Sequence, residues 1–300
     1  MELSLPRPQS CPLSAHSSSL GVEVTIAVSA DPFDALVLDF YERTASQYDT
    51  WAGGIHARAA TRLAELAAVQ PHERAIDIGA GTGVATHLLS GDIEAGGCSI
   101  GVDFSLQTIA VAEAHRTPAS PAQFLHMDAR RLYFHDASFE VALLGQLLAY
   151  LSNPLAVLQE TRRLLRPGGR VVISCQCRSL CTPAQALFFE RLDRLALRIP
   201  RGPEHHSLLG EPWVITEMLQ DAGFVDISTT QMVMGNRAPD ATTWVDVMSQ
   251  SGPWPDAVMR LLSPASRRTF EEKLDEGMQR LGERAYGFHG AFTFAVALRG

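Results

Sequence analysis

Lysine is almost missing from this chain. Of its 25 basic residues only Lys273 is a lysine, and it stands in a run of acids, Glu271, Glu272, Asp275 and Glu276. A phosphate-binding loop needs a lysine straight after its glycines, and a Schiff-base enzyme needs one in a pocket, so both classes are disfavoured. Basic charge as a whole is short. Set against 33 acidic residues it leaves a formal net charge of −8, which argues against a broad nucleic-acid surface and for a small-molecule substrate. Long apolar runs are lacking, so no membrane span is expected. Glu23 interrupts the one stretch that could be a signal-peptide core. The 5 cysteines (11, 98, 175, 177 and 181) are an odd number in a chain of 300 residues, which is too long to need staples, and they read as reduced thiols of a cytoplasmic protein. Cys175-x-Cys177-x-x-x-Cys181 departs from the usual zinc spacings and reads as small thiols on a strand, so no metal is expected.

What is present centres on residues 75–103. An apolar run (Ala75, Ile76, Ile78) breaks into Gly79-Ala-Gly81-Thr-Gly83, a helical pattern comes next (Val84, Leu88, Leu89), and a second apolar run (Ile100, Val102) ends on Asp103. That order predicts strand, glycine turn, helix and strand, a βαβ unit. Glycines let the backbone reverse and let a ligand lie against the main chain. A carboxylate closing the second strand, Asp103, can accept both hydroxyls of a ribose. The dinucleotide fingerprint G-x-G-x-x-G/A fails here, because its last position falls on Val84. Asp77, two residues before the first glycine, would repel a pyrophosphate and suit an ammonium or sulfonium ligand.

An acid, a spacer and G-x-G-x-G resemble the first motif of the class I S-adenosylmethionine-dependent methyltransferases, of the small-molecule type that includes the ubiquinone/menaquinone-biosynthesis enzymes. Further stretches carry the resemblance, which spans about residues 40–230. Phe124-Leu-His-Met127-Asp128-Ala129 is a short strand ending in an acid, and the resemblance implies that Asp128 meets the adenine amino group; a loop aspartate capping the next residues is the other reading. Phe139 to Leu144 predicts a buried fourth strand ending at Gly145-Gln146, which the family places beside the transferred methyl. Leu165-Arg-Pro-Gly-Gly-Arg-Val-Val-Ile173 is a recurrent family signature, a glycine turn into a fifth strand at Val171 to Ser174. The segment Tyr41 to Asp49 resembles the helix that many such enzymes fold over the cofactor; packing tyrosines are the alternative.

Together these imply an α/β fold, a Rossmann-like doubly wound sheet of seven strands, six parallel and one antiparallel, with a helical cap. The expected organisation is a mobile tail over 1–30, N-terminal helices over 31–70, a cofactor core over 71–178, a lid over 179–212, the end of the sheet at 213–230 and 291–300, and a helical insertion over 231–290. Ala291 to Leu298 would join the sheet edge antiparallel. S-adenosylmethionine is the implied cofactor, held by Asp77, Gly79, Ala80, Gly81, Gly83, Asp103, Phe104, Met127, Asp128, Ala129 and Gln146, with Tyr41 and Tyr48 above it.

Displacement of a methyl group from a sulfonium loses charge and gains mostly from alignment and exclusion of water, so no fixed catalytic constellation is required. If the acceptor is a hydroxyl or an acidic carbon, His205, His206 and His289 are the candidate bases, with His135 after them. An acid acceptor would need only an arginine such as Arg201. The implied activity is methyl transfer to an O, C or N atom of a small metabolite, with secondary metabolism as one setting. A cyclisation or rearrangement with bound S-adenosylmethionine is the alternative. A nicotinamide-dependent oxidoreductase is disfavoured by Val84 and Asp77. Oligomeric state is not encoded in these patterns.

Overall fold

The computed structural model describes residues 31–94, 96–118, 120–177, 181–202 and 208–300. The expected tail, 1–30, lies outside them.

Local sequence sets many of the helix starts. Asp31-Pro32, Asn153-Pro154, Thr182-Pro183 and Ser263-Pro264 each place a short polar side chain at the N-cap and a proline in the first turn. The cap oxygen accepts an otherwise unpaired N–H, and proline at that position has no N–H to leave unpaired. These pairs open α1 (Pro32–Thr44), α5 (Pro154–Leu164), α6 (Pro183–Arg194) and α10 (Pro264–Leu281). The remaining helices are α2 (Trp51–Ala67), α3 (Val84–Asp92), α4 (Leu106–Ala114), α7 (Pro212–Asp221), α8 (Ala241–Ser249) and α9 (Pro253–Leu261). None of the helices among the described residues is long and apolar enough to cross a membrane.

Seven strands form one sheet: β1 (Arg74–Ile78), β2 (Cys98–Asp103), β3 (Ala122–His126), β4 (Phe139–Gly145), β5 (Leu165–Gln176), β6 (Phe224–Arg237) and β7 (Gly287–Arg299). Their order is β3-β2-β1-β4-β5-β7-β6, and only β7 runs against its neighbours. The central strands β1, β2 and β4 are almost wholly buried and largely apolar on both faces, as parallel strands covered by helices must be. Alternate residues divide between two cores: Ala75, Val141, Leu143 and Val172 face α2, α3 and the cap, while Ile76, Ile78, Ala142, Leu144, Val171 and Ile173 face the opposite core with α5 and α7.

Three expectations are corrected here. β7 does not sit at the edge; it is inserted between β5 and β6. The helical insertion is shorter than 231–290, because 231–237 and 287–290 belong to an antiparallel ribbon running from Gln231 opposite Thr293 to Arg237 opposite Gly287. Pairing with a distant partner overrides the mixed polar pattern of β6. In the segment expected to be a lid, α6 instead packs under the cap: Phe188 is fully buried and meets Trp244 and Phe270 edge-on. The cap is also tied to the N-terminal helix, since Arg43 of α1 bonds Asp256 of α9 at 2.5 Å.

Candidate functional site

The strand order reverses between β1 and β4, the place where a doubly wound sheet opens a crevice beyond its strand ends. A cleft with about 1230 Å³ of space, its mouth included, lies there. It is walled by the turns after β1, β2, β3 and β4 and roofed by α1 and the start of α2.

The turn after β1 is built around Asp103. Its Oδ2 accepts the Gly81 N–H at 2.8 Å and its Oδ1 the Ser105 N–H at 2.9 Å. Burial raises its pKa, and those N–H groups counter the rise. Gly81 has φ +55° and open space where a Cβ would stand, so bare backbone faces the cleft. Asp77 is only 3% exposed. Burial pushes its pKa up to about 6 and the Asp103 charge adds to the rise, while the Thr86 hydroxyl, donating at 2.7 Å, counters it. Among the described residues no cation offsets this buried acid.

The roof is aromatic. The ring of Tyr41 lies 5.7 Å from that of Tyr48 and 5.5 Å from that of Tyr150, all edge-on, and burial raises the Tyr41 and Tyr48 phenols well above their ordinary range. Asp49 accepts from the Thr82 hydroxyl at 2.5 Å, which joins the roof to the glycine turn. At the mouth Arg130 grips both oxygens of Asp128 and reaches Asp34 of α1 at 2.6 Å. Burial raises the Asp128 carboxyl, but the Arg130 contacts outweigh it and hold the group below its usual range.

Of the residues expected to bind cofactor, Asp77, Gly79, Ala80, Gly81, Asp103, Phe104, Met127, Asp128, Ala129, Gln146, Tyr41 and Tyr48 line this one cleft. Gly83 does not. It caps α3 at φ +82°, and a Cβ there would stand 2.7 Å from the Phe124 ring and 2.9 Å from Ala112. Its role is close packing of α3 against β3 and α4. Gly83→Ala is therefore expected to lower stability by about 2 kcal/mol in a urea titration, from left-handed strain plus overpacking; an unchanged midpoint would show that the neighbours yield.

Among the described residues no candidate base lines this cleft. His205 and His206 lie outside the described residues. His289 sits in β7 and lines a separate cavity with Trp51, Cys181 and Gln185. His135 is exposed and not on the cleft, and Arg201 pairs with Asp193 at 2.5 Å and stacks on Trp254. Sequence reasoning passed over His56, Arg130 and Asp34, which do line the cleft. No local motif marks them, because the contacts that bring them to the cleft include distant ones, Arg130 with Asp34 and His56 with Phe292. Among the described residues no group of His, Cys, Asp and Glu is arranged to hold a metal.

A glycine turn, strand-end acids and a doubly wound sheet define an enzyme of the S-adenosylmethionine-binding Rossmann-like class. The particular family emerges from comparison: the chain belongs to the S-adenosylmethionine-dependent methyltransferases. Residues 76–173 match the family described as "Methyltransferase domain". The demethylmenaquinone methyltransferase of Mycobacterium tuberculosis (strain ATCC 25618 / H37Rv) is 30% identical over 199 residues, 62% of this chain and 78% of that protein. Among solved structures, phosphoethanolamine N-methyltransferase 2 of Haemonchus contortus, in complex with S-adenosyl-L-methionine, gives a TM-score of 0.51 at 18% identity over 87% of this chain and 56% of that one. The [4+2]-cyclase SpnF gives 0.54 at 18% identity over 91% of this chain and 98% of that one. The last two likenesses concern the fold.

Proposed function

We propose that the protein transfers a methyl group from S-adenosylmethionine to an O, C or N atom of a small, partly apolar metabolite in a biosynthetic, cytoplasmic setting. The observation that carries this reading is the shared space: the glycine turn and its acids open onto the same cleft as an apolar wall made by Tyr41, Tyr48, Ala60, Leu63 and Tyr150. The cofactor supplies an electrophilic methyl on a positively charged sulfur. The residues of the chain fit it. Asp103 keeps lone pairs for the ribose hydroxyls beyond the two N–H groups it accepts. Asp77, a buried acid without a cation, receives the ammonium of the amino-acid tail. Asp128 takes the adenine amino group by sharing its oxygens with Arg130. The tyrosine roof excludes water and aligns the acceptor, where most of the rate gain of such a displacement arises.

Incubation with labelled cofactor and a panel of phenols, polyketides and prenyl compounds tests the reading. Label should pass to at least one apolar acceptor, and S-adenosylhomocysteine should bind more tightly than NAD in calorimetry. The reverse order of affinities would overturn the proposal. The fold alone carries more than one chemistry, as the cyclase above shows, so a product formed without label would favour cyclisation or rearrangement instead.

A further inference from the structure

α2 begins with a left-handed turn, Ala52-Gly53-Gly54, at φ 51°, 71° and 75°, and the regular helix after it sets His56, Ala60 and Leu63 on one face toward the cleft. His56 is enclosed by aromatic rings. Its ring stacks on Tyr48 at 4.9 Å and 9° and on Trp51 at 4.9 Å and 19°. Phe292 stands edge-on to it at 6.2 Å, and Trp51 is itself fixed by donating its indole N–H to the Val247 carbonyl at 3.0 Å. Nδ1 is buried and has no hydrogen-bond partner. With Nδ1 shut in, Nε2 is the nitrogen left to serve the cleft. Nothing in the binding of S-adenosylmethionine proposed above uses this ring. A polar edge set among apolar and aromatic walls is the arrangement that fixes the orientation of a small ligand.

We propose that His56 is the polar anchor of the methyl-acceptor subsite, and that the subsite takes a neutral hydroxyl on a flat apolar ring, a phenol or naphthol, in preference to a carboxylic acid. This rests on the methyltransferase reading above and names the acceptor class for it. Three observations support the choice. The available walls are the tyrosine rings and the low relief of Ala57 and Ala60, which suit a flat ring. Apart from His56, the one basic side chain on the cleft among the described residues is Arg130, and it is already engaged by Asp128 and Asp34, so a carboxylate has no free cation to meet. Burial holds the His56 pKa down at about 4, so the ring is neutral and pairs with a neutral group at no charge penalty. A hydroxyl both donates and accepts, and so satisfies the ring nitrogen in either tautomer.

The test uses the full chain loaded with S-adenosylhomocysteine and measures three probes by equilibrium dialysis: 1-naphthol, naphthalene and 1-naphthoate. The wild type should hold 1-naphthol about tenfold more tightly than naphthalene, as one net hydrogen bond gives, and 1-naphthoate no better than naphthalene. In His56→Phe, which keeps an aromatic ring in the stack, the preference for the hydroxyl should fall below about threefold. His56→Asn should restore part of it. S-adenosylhomocysteine affinity should stay unchanged in both variants, which separates a failure of this proposal from a failure of the cofactor reading. Full hydroxyl preference in His56→Phe would overturn the proposal, and so would tighter binding of 1-naphthoate or no binding of 1-naphthol by the wild type.

Discussion

Asp103→Ala should weaken S-adenosylhomocysteine binding at least a hundredfold in calorimetry. The side chain does two jobs at once. It accepts the Gly81 and Ser105 N–H groups, at 2.8 and 2.9 Å, and so sets the shape of the turn the ligand lies against. Its remaining lone pairs are the ones assigned to the ribose. Hydrogen bonds to a charged acceptor contribute about 1.5–3 kcal/mol each, and a donor left without a partner adds a further penalty. Loss of the ribose contacts and distortion of the turn should together exceed about 3 kcal/mol, which is more than two factors of ten in affinity. Asp103→Asn keeps an acceptor oxygen and should fall between wild type and Ala. An affinity for Asp103→Ala within threefold of wild type would mean that the ribose lies elsewhere.

Asp77→Asn should make the free protein more stable at pH 7 and a poorer binder of the cofactor. The sign is set by the direction of the shift. In the unfolded chain Asp77 titrates near 3.8, and burial, with the Asp103 charge, raises it to about 6 in the folded protein. A group raised on folding stabilises fully below its unfolded pKa, and that stabilisation is lost as pH climbs through the folded pKa. At pH 7 the free protein therefore carries an ionised acid whose burial costs on the order of 2–3 kcal/mol, at 1.36 kcal/mol per unit. Asparagine removes that cost and still accepts from Thr86. Its advantage in urea titrations should be largest above pH 6 and shrink toward pH 4.

Binding shows the opposite trend. If the cofactor ammonium meets this carboxylate, it lowers the pKa again and binding releases a proton. Affinity in the wild type should hold above about pH 7 and weaken toward tenfold by pH 5, and Asp77→Asn should be weaker throughout with that slope gone. A wild type and variant with parallel pH profiles would dissociate Asp77 from the ammonium. The combination of lower stability and higher affinity is what a buried acid kept for a ligand should show.

Much of the lining of this cleft was legible in the chain order. Gly79, Gly81 and Asp103 lie within one βαβ unit of about thirty residues, where turn chemistry and apolar runs are local and each strand end is marked by the residues just beyond it. Asp128 and Gln146 also follow strand ends, but it was the family resemblance that pointed to them; both line the cleft. Gly83 shows the limit of that reasoning. Its spacing matched that of the glycines lining the cleft, yet its absent side chain makes room for Phe124, a contact that spacing does not encode. Arg130 and Asp34 stand 96 positions apart, and their bond across the mouth left no periodic trace.

The amino-acid order alone determined the succession of the first five strands with their helices and the acids at the strand ends, because hydrophobic period, caps and glycine turns act over a few residues. Tertiary structure alone decided the length of the β6–β7 ribbon, the closing of Arg130 on two aspartates and the character of His56. Each needs at least one partner far along the chain: β7 for β6, Asp34 for Arg130, and Phe292 and the Val247 carbonyl for the stack that holds His56. An imidazole between Tyr48 and Trp51 takes its neutrality from burial, a property of the folded surroundings.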